Sequence, residues 1–257
     1  MGRSSNIWGT YYIYCESSFC PRGGTVACKV LPPFKVRDNF PYNCKPEFVS
    51  EHMGRSAYLL GLFLMSYPDL TDSDTWFLQV MFELAHDAGE YKNGDMLDDD
   101  SISPEGLAAI KEEEIHILEE MFLNYPGNYG MQMIDMLPKF EGYTGGFPLF
   151  DKMVEKLDAI LFQIFLYSKG IPGDIRWKEP KPSKRDLRFA KIIGSYRVCD
   201  VWAFHFRVAT KHAPLEYQKP LRKVLEVAFK SIYGTIPPCM TIDVTDVPLH
   251  VDVDYED

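Results

Sequence analysis

Long apolar runs are missing from this chain. The longest, Tyr58 to Met65, falls far short of the ~20 residues that a membrane-spanning helix needs. That argues against a membrane protein. The opening Met-Gly-Arg-Ser-Ser-Asn has no apolar segment of the secretory kind, so a cytoplasmic location is expected. Informative cysteine is scarce too. There are six in 257 residues, and Cys15, Cys20, Cys28 and Cys44 crowd the N-terminal part without forming a Cys-x-x-Cys pair. Their spacings fit no zinc pattern, and free thiols in a reducing compartment are expected. Positive charge is short: 27 Lys and Arg stand against 37 Asp and Glu, a formal net charge of −10. Binding to a nucleic-acid backbone needs a basic footprint, so the charge argues against it and no nucleic-acid polymer is expected as a partner. A small phosphorylated substrate is not excluded, because a few cations or one metal ion can reverse the field inside a single pocket. No internal repeat is visible.

Apolar side chains make up 46% of the chain and aromatics 14%. That is ample for one large core with extensions. Residues 1–45 are rich in Gly, Pro, Cys and aromatics; Trp8 to Tyr14 has strand character and Pro21 to Gly24 reads as a turn, so a small hairpin is expected there. From Pro46 the pattern turns helical. Val49, His52, Ser56, Leu59 and Phe63 form one stripe, with Leu60 and Leu64 beside it, and Tyr67-Pro68-Asp69 ends the helix. Thr71 to Asp74 caps a second helix running through Trp76, Val80 and Leu84 to His86. After a polar loop, Ser103-Pro104 opens a helix that carries an acidic run, Lys111 to Glu114, expected on a solvated face. Gly127 to Gly146 reads as short helical and loop segments, and a strong helix follows from about Pro148 to Tyr167. The expected organisation is an N-terminal extension over 1–45, a helical core over 46–170 and a linker or covering loop over 171–185. Additional helices packed on the core fill 186–233, as two helices of about Ser183 to His212 and Leu215 to Tyr233. An acidic tail of 234–257 closes the chain; its Thr241 to Asp257 part, without Lys or Arg, is expected to be disordered. The fold class is all-α, a helical bundle.

Four residues stand out: His52, His86, Asp87 and Asp158. Three separate helices supply them, and inward-facing side chains from several helices are how bundle metal sites are built. His86 and Asp87 are adjacent, so one backbone segment offers an imidazole and a carboxylate to a divalent ion. Glu90 follows one helical turn after His86, at i+4, so the two are expected to share a helix face and look into one cavity. Asp158 lies within the apolar run Leu157 to Leu161, where an unpaired buried carboxylate would cost several kcal/mol. A metal or a cationic partner removes that cost; an exposed helix face is the plain alternative.

These residues carry a resemblance. Phe48 to His52, Leu84-Ala-His-Asp-Ala-Gly-Glu90, Gly94-Asp95 and Lys156-Leu-Asp-Ala159 resemble the His…His-Asp…Asp signature of HD-domain metal-dependent phosphohydrolases, and within them the 5′-deoxynucleotidase subgroup. The resemblance spans roughly residues 36–170. It implies an HD-domain helical bundle with one divalent metal held by His52, His86, Asp87 and Asp158. It implies proton-transfer roles for Glu90 and Asp95 and a phosphate contact at Arg37. Two positions differ from the subgroup. Asp38 stands where a sugar-selecting Trp is usual, and Glu155, with Lys156 beside it, stands where a Lys is usual.

The chemistry is consistent with that resemblance. A bound metal polarises a phosphoryl oxygen and lowers the pKa of bound water, leaving acid–base work to nearby carboxylates. Mixed nitrogen and oxygen ligands suit Mn²⁺, Co²⁺, Fe²⁺ or Zn²⁺ better than Mg²⁺. Arg55, one turn after His52, is a second candidate phosphate contact. A two-metal HD centre would need extra His ligands between His86 and Asp158. Only His116 lies there, among glutamates, and it reads as a surface residue. The expected activity is hydrolysis of a small phosphomonoester, a nucleoside 5′-monophosphate by the resemblance. The expected partners are that substrate and a second copy in a homodimer, with no membrane. The alternative is a non-catalytic nucleotide- or metal-binding HD module with an assembly role.

Overall fold

The computed structural model describes residues 49–92, 103–142, 144–168 and 183–249. The described residues include eight α-helices and four 3-10 turns and contain no strand. The protein is all-α, as the periodicity implies. No described helix is long and apolar enough to cross a membrane. The readings at Trp8 to Tyr14, the four N-terminal cysteines, Arg37, Asp38, Asp95, the 170–182 linker and the last eight residues lie outside the described residues.

Two compact units divide the chain, one ending at Glu155 and the other continuing from Lys156. In the first unit, α1 spans Val49–Ser66 and buries Val49, His52, Met53, Ser56, Ala57, Leu60, Phe63 and Leu64. Steps of three and four put these on one face. Tyr67 and Pro68 end it, since the residue before a proline is pushed out of the helical region. Asp72 caps the 3-10 turn that follows, accepting from the Asp74 N–H at 3.0 Å, and leads the chain into α2, Trp76–Glu83.

Helix α2 stops three residues earlier than its apolar run suggests. Leu84 to Asp87 form turns, and Ala88–Tyr91 is a 3-10 helix. Glu90 is therefore not one α-helical turn from His86 on a shared face; a tighter coil positions it instead. Helix α3, Pro104–Phe122, opens as expected, with Ser103 Oγ accepting from the Gly106 N–H at 3.1 Å and Pro104 at its first turn. The expectation of broken segments over Gly127 to Gly146 is corrected. Tyr129–Glu141 is one continuous helix, α4, despite Pro138 within it, and it buries Met133, Met136, Leu137 and Phe140. These join Phe82, Met121, Phe122 and Met53 in the core of this unit. Two glycines let backbones meet α3. A Cβ at Gly89 would lie 2.6 Å from the Glu114 carbonyl oxygen, and one at Gly130 would lie 2.1 Å from that of Phe122. No other residue fits either position without moving the helix.

Helix α5, Gly146–Ser168, holds the boundary between the units. In the second unit the expected Ser183 to His212 helix is two helices, α6 (Lys184–Ile193) and α7 (Val198–Ala209). Gly194, at φ 66°, ends α6 in the left-handed region that glycine adopts without penalty. Helix α8, Leu215–Tyr233, ends likewise on Gly234. Phe189 of α6 packs edge-on against Phe204 of α7. The tail reading is also corrected up to residue 249. Arg207 donates to the Cys239 and Ile242 carbonyls, Arg222 to that of Met240, and Lys211 to those of Thr245 and Val247. Cations on α7, α8 and the turn after α7 thus hold a segment that carries none of its own.

Candidate metal centre

The centre begins with the way α2 ends. A helix leaves its last carbonyls without intrahelical partners. That of Glu83 is taken by His86, whose Nδ1 donates to it at 2.7 Å. A carbonyl can only accept, so the proton sits on Nδ1 and the ring's other nitrogen, Nε2, is the one presented to the site. Backbone carbonyls orient metal-binding histidines in this way. His86 Nε2 is sequestered from solvent with no hydrogen-bond partner among the described residues. It faces Asp87 Oδ2 at 3.2 Å.

Helix α1 brings His52 to the same point. Its ring centroid lies 5.6 Å from that of His86, and its Nε2 is 3.7 Å from Asp87 Oδ2. Helix α5 adds Glu155, with Oε1 3.4 Å from His52 Nε2. One ligand atom each from His52, His86 and Glu155 falls within 4.8 Å of the other two, and all three residues are buried. Two imidazoles and two carboxylates converging in a buried place fit a divalent transition metal.

The surrounding charge supports the same fit. Burial alone would lower the His86 pKa, but the Asp87 and Glu83 carboxylates reverse that and push it up to about 9. Glu83, wholly buried, is itself pushed up to about 7, by burial first and by Glu155 as well, with His86 opposing. The field at this point favours positive charge, and a metal ion can supply it in place of a proton.

Of the residues singled out from sequence, the structure brings together His52, His86 and Asp87. Asp158 is buried on α5, one turn beyond Glu155 and on the same face of that helix. Glu90 is buried and lines a small pocket together with His86 and Asp87. Arg55 is part-buried on α1, three residues from His52. His116 is exposed, 3.3 Å from Glu120, as read.

Asp151 escaped the sequence reading, and Glu155 was noted there only as a departure from the subgroup; both lie on one face with Asp158. Asp151, Glu155 and Asp158 form an acidic stripe at i, i+4 and i+7 of α5, all buried. Asp151 Oδ1 accepts from Gln79 Nε2 at 2.8 Å, and Gln79 Oε1 accepts from the hydroxyls of Thr71 and Thr75. Burial and Glu83 hold the Asp151 carboxyl well above the usual range. Lys152 Nζ lies 3.6 Å from Glu155 Oε2 and 4.3 Å above the Phe140 ring. It puts a cation beside Glu155 from one turn earlier on the helix. The acidic helix α3 is not only a solvated face: Lys111, Glu114, Ile115 and Leu118 wall the pocket at helical spacing. The spacing was readable in the sequence, but which face turns inward depends on the close approach at Gly89.

The HD-domain family model matches residues 35–177, more than half of the chain. The chain belongs to the HD-domain family. Members of this family are generally metal-dependent hydrolases, and the cluster on α1, α2, α5 and the turn after α2 fits the metal site that such an activity needs. A search of curated proteins finds no match.

Proposed function

We propose that this HD-domain protein removes phosphate from small phosphomonoesters, with nucleoside 5′-monophosphates as the substrate class. One observation carries the reading. The His86 ring is fixed by the Glu83 carbonyl so that Nε2 faces the same point as His52, Asp87 and Glu155. His52, His86 and Asp87 would hold one divalent ion, with a further carboxylate from α5, Glu155 or Asp158. That ion, when bound, lowers the pKa of water and polarises a phosphoryl oxygen.

The protein's own groups do the rest. Glu90, which lines the pocket with Asp87, is the proposed group that exchanges a proton with the attacking water or the leaving oxygen. Asp95 is the proposed partner in that exchange. Arg55 and Arg37 are the proposed phosphate contacts. Asp38, where the deoxynucleotidase subgroup has Trp, leaves the sugar open, so ribo- and deoxyribonucleotides both belong in the assay.

The test is phosphate release from a panel of nucleoside 5′-monophosphates and simpler phosphomonoesters with Mn²⁺ or Co²⁺. Release from at least one of them, abolished by chelation, is the expected outcome. A folded, metal-loaded chain that releases phosphate from none is not a phosphomonoesterase, and the binding-module reading then stands.

A further inference from the structure

The pocket beside His86 presents a problem for any phosphorylated ligand. Its wall carries the carboxylates of Asp87, Glu90, Glu114 and Glu141. A dianion approaching four carboxylates is repelled unless positive charge is placed among them. Apart from any bound metal and the His86 imidazole beside it, the cation in that wall among the described residues is Lys111.

We infer that Lys111 is a phosphate-binding residue of this pocket, an inference that rests on the phosphohydrolase reading above. Three observations support it. The first is placement. Helix α3 is seated directly on the segment that carries the metal-site residues, because Gly89 lets the Glu114 backbone come into contact with it. An ion pair between Lys92 and Glu113 ties the same two segments. Lys111, one turn before Glu114, is thus held at a fixed position relative to Asp87 and Glu90.

The second is orientation. Glu114 Oε2 accepts from Lys111 Nζ at 3.0 Å. Glu114 is buried, so the bond directs the ammonium towards the pocket wall. The third is spare capacity. An ammonium has three N–H donors, and Glu114 takes one. The Lys111 side chain is 51% exposed, which leaves the others accessible to an entering phosphate. Charge-assisted bonds of this kind are among the stronger contacts to a phosphate oxygen. Lys111 is a binding residue in this scheme and takes no part in proton transfer, and Glu114 is a positioning residue for it.

The experiment is calorimetric titration of inorganic phosphate into the Mn²⁺-loaded full chain. It compares wild type, Lys111→Gln and Lys111→Arg, with manganese content measured on the same samples. The expected result is phosphate binding about tenfold weaker in Lys111→Gln at unchanged manganese content, the effect of losing one charge-assisted hydrogen bond. Lys111→Arg should stay within about threefold of wild type, since it keeps the charge. With a nucleoside monophosphate as substrate, Lys111→Gln should raise KM by the same factor and leave kcat nearly unchanged. Wild-type phosphate affinity in Lys111→Gln would overturn the inference. So would loss of manganese along with phosphate, or no phosphate binding by the wild type. A chain that binds phosphate through Lys111 yet hydrolyses no monophosphate would overturn the hydrolase reading and leave this inference standing. Hydrolysis by Lys111→Gln at wild-type KM would do the reverse.

Discussion

Buried carboxylates in the two units have opposite characters. In the second unit Asp200 is fully buried at the start of α7, and its partners surround it. Ser195 Oγ donates to Oδ2 at 2.6 Å and Arg197 Nε donates to the same oxygen at 2.7 Å. The Arg197 guanidinium in turn lies 4.1 Å over the Tyr233 ring. Every charge there has an answer supplied by a residue five positions away or fewer. In the first unit Glu83, Asp151 and Glu155 are as deeply buried but repel one another. Asp151 Oδ2 and His86 Nε2 are sequestered without hydrogen-bond partners among the described residues. A buried ion costs several kcal/mol unless it is paired. The Asp200 group in the second unit is neutralised by its own neighbours; the carboxylates of the first unit favour a bound cation.

Substitutions can break this contrast, and the largest effects are expected at the metal site. Asp87→Ala should abolish metal binding and hydrolysis together. Glu90→Ala should retain the metal while activity falls by about 10²- to 10⁴-fold, the usual worth of a general acid or base. Metal analysis beside the phosphate-release assay checks both, and a fully active Asp87→Ala would refute the ligand assignment. Asp200→Ala should do the opposite: normal metal content, with stability reduced by about 3 kcal/mol because Arg197 loses a buried partner. Denaturant unfolding measures that loss, and a change in metal content would blur the contrast. Gly89→Ala should reduce stability by about 2 kcal/mol, because the new methyl must push α3 away. It should also raise KM, since Lys111 moves with the helix.

The smallest effect is expected at Asp151, and its sign is opposite. The folded carboxyl titrates above its unfolded value, so between the two pKa values the unfolded chain binds fewer protons. Stability therefore falls as pH rises from about 4 towards the folded pKa. Asp151→Asn keeps an oxygen for Gln79 and removes that slope. The metal-free variant should be more stable than the metal-free wild type at pH 7 and equal to it near pH 3. Thermal melts across that range check it; equal stability at pH 7 would mean that Asp151 carries no such cost.

The contrast also explains what was legible in the sequence. Helix α1 could be drawn almost residue by residue because its buried positions are mostly apolar, and steps of three and four name the face. His86-Asp87 stood out because adjacent ligand types at a helix end are conspicuous. The carboxylates behind them were hidden by the same logic. Periodicity identifies an inner face by its apolar residues, so it gives no sign that Glu83 and Asp151 are buried; the packing of α2 and α5 shows it. The acidic spacing of α5 at 151, 155 and 158 was a usable signal. Gly194 was another, a single glycine that divides what looked like one helix. The early end of α2 left no such mark: Leu84 and Ala85 continue the apolar pattern through a turn. The tail up to residue 249 was misjudged because its anchors, Arg207, Lys211 and Arg222, lie at least eighteen residues before the carbonyls they hold.

The central claim is that His52, His86, Asp87 and an α5 carboxylate make a centre for one divalent metal. Titration of the metal-free chain with Mn²⁺, followed by calorimetry and by elemental analysis after dialysis, tests it directly. The expected result is one ion per chain for the wild type and none for His86→Ala, with the helical content of both unchanged. No bound ion in the wild type, two ions, or one ion still bound in His86→Ala would contradict it.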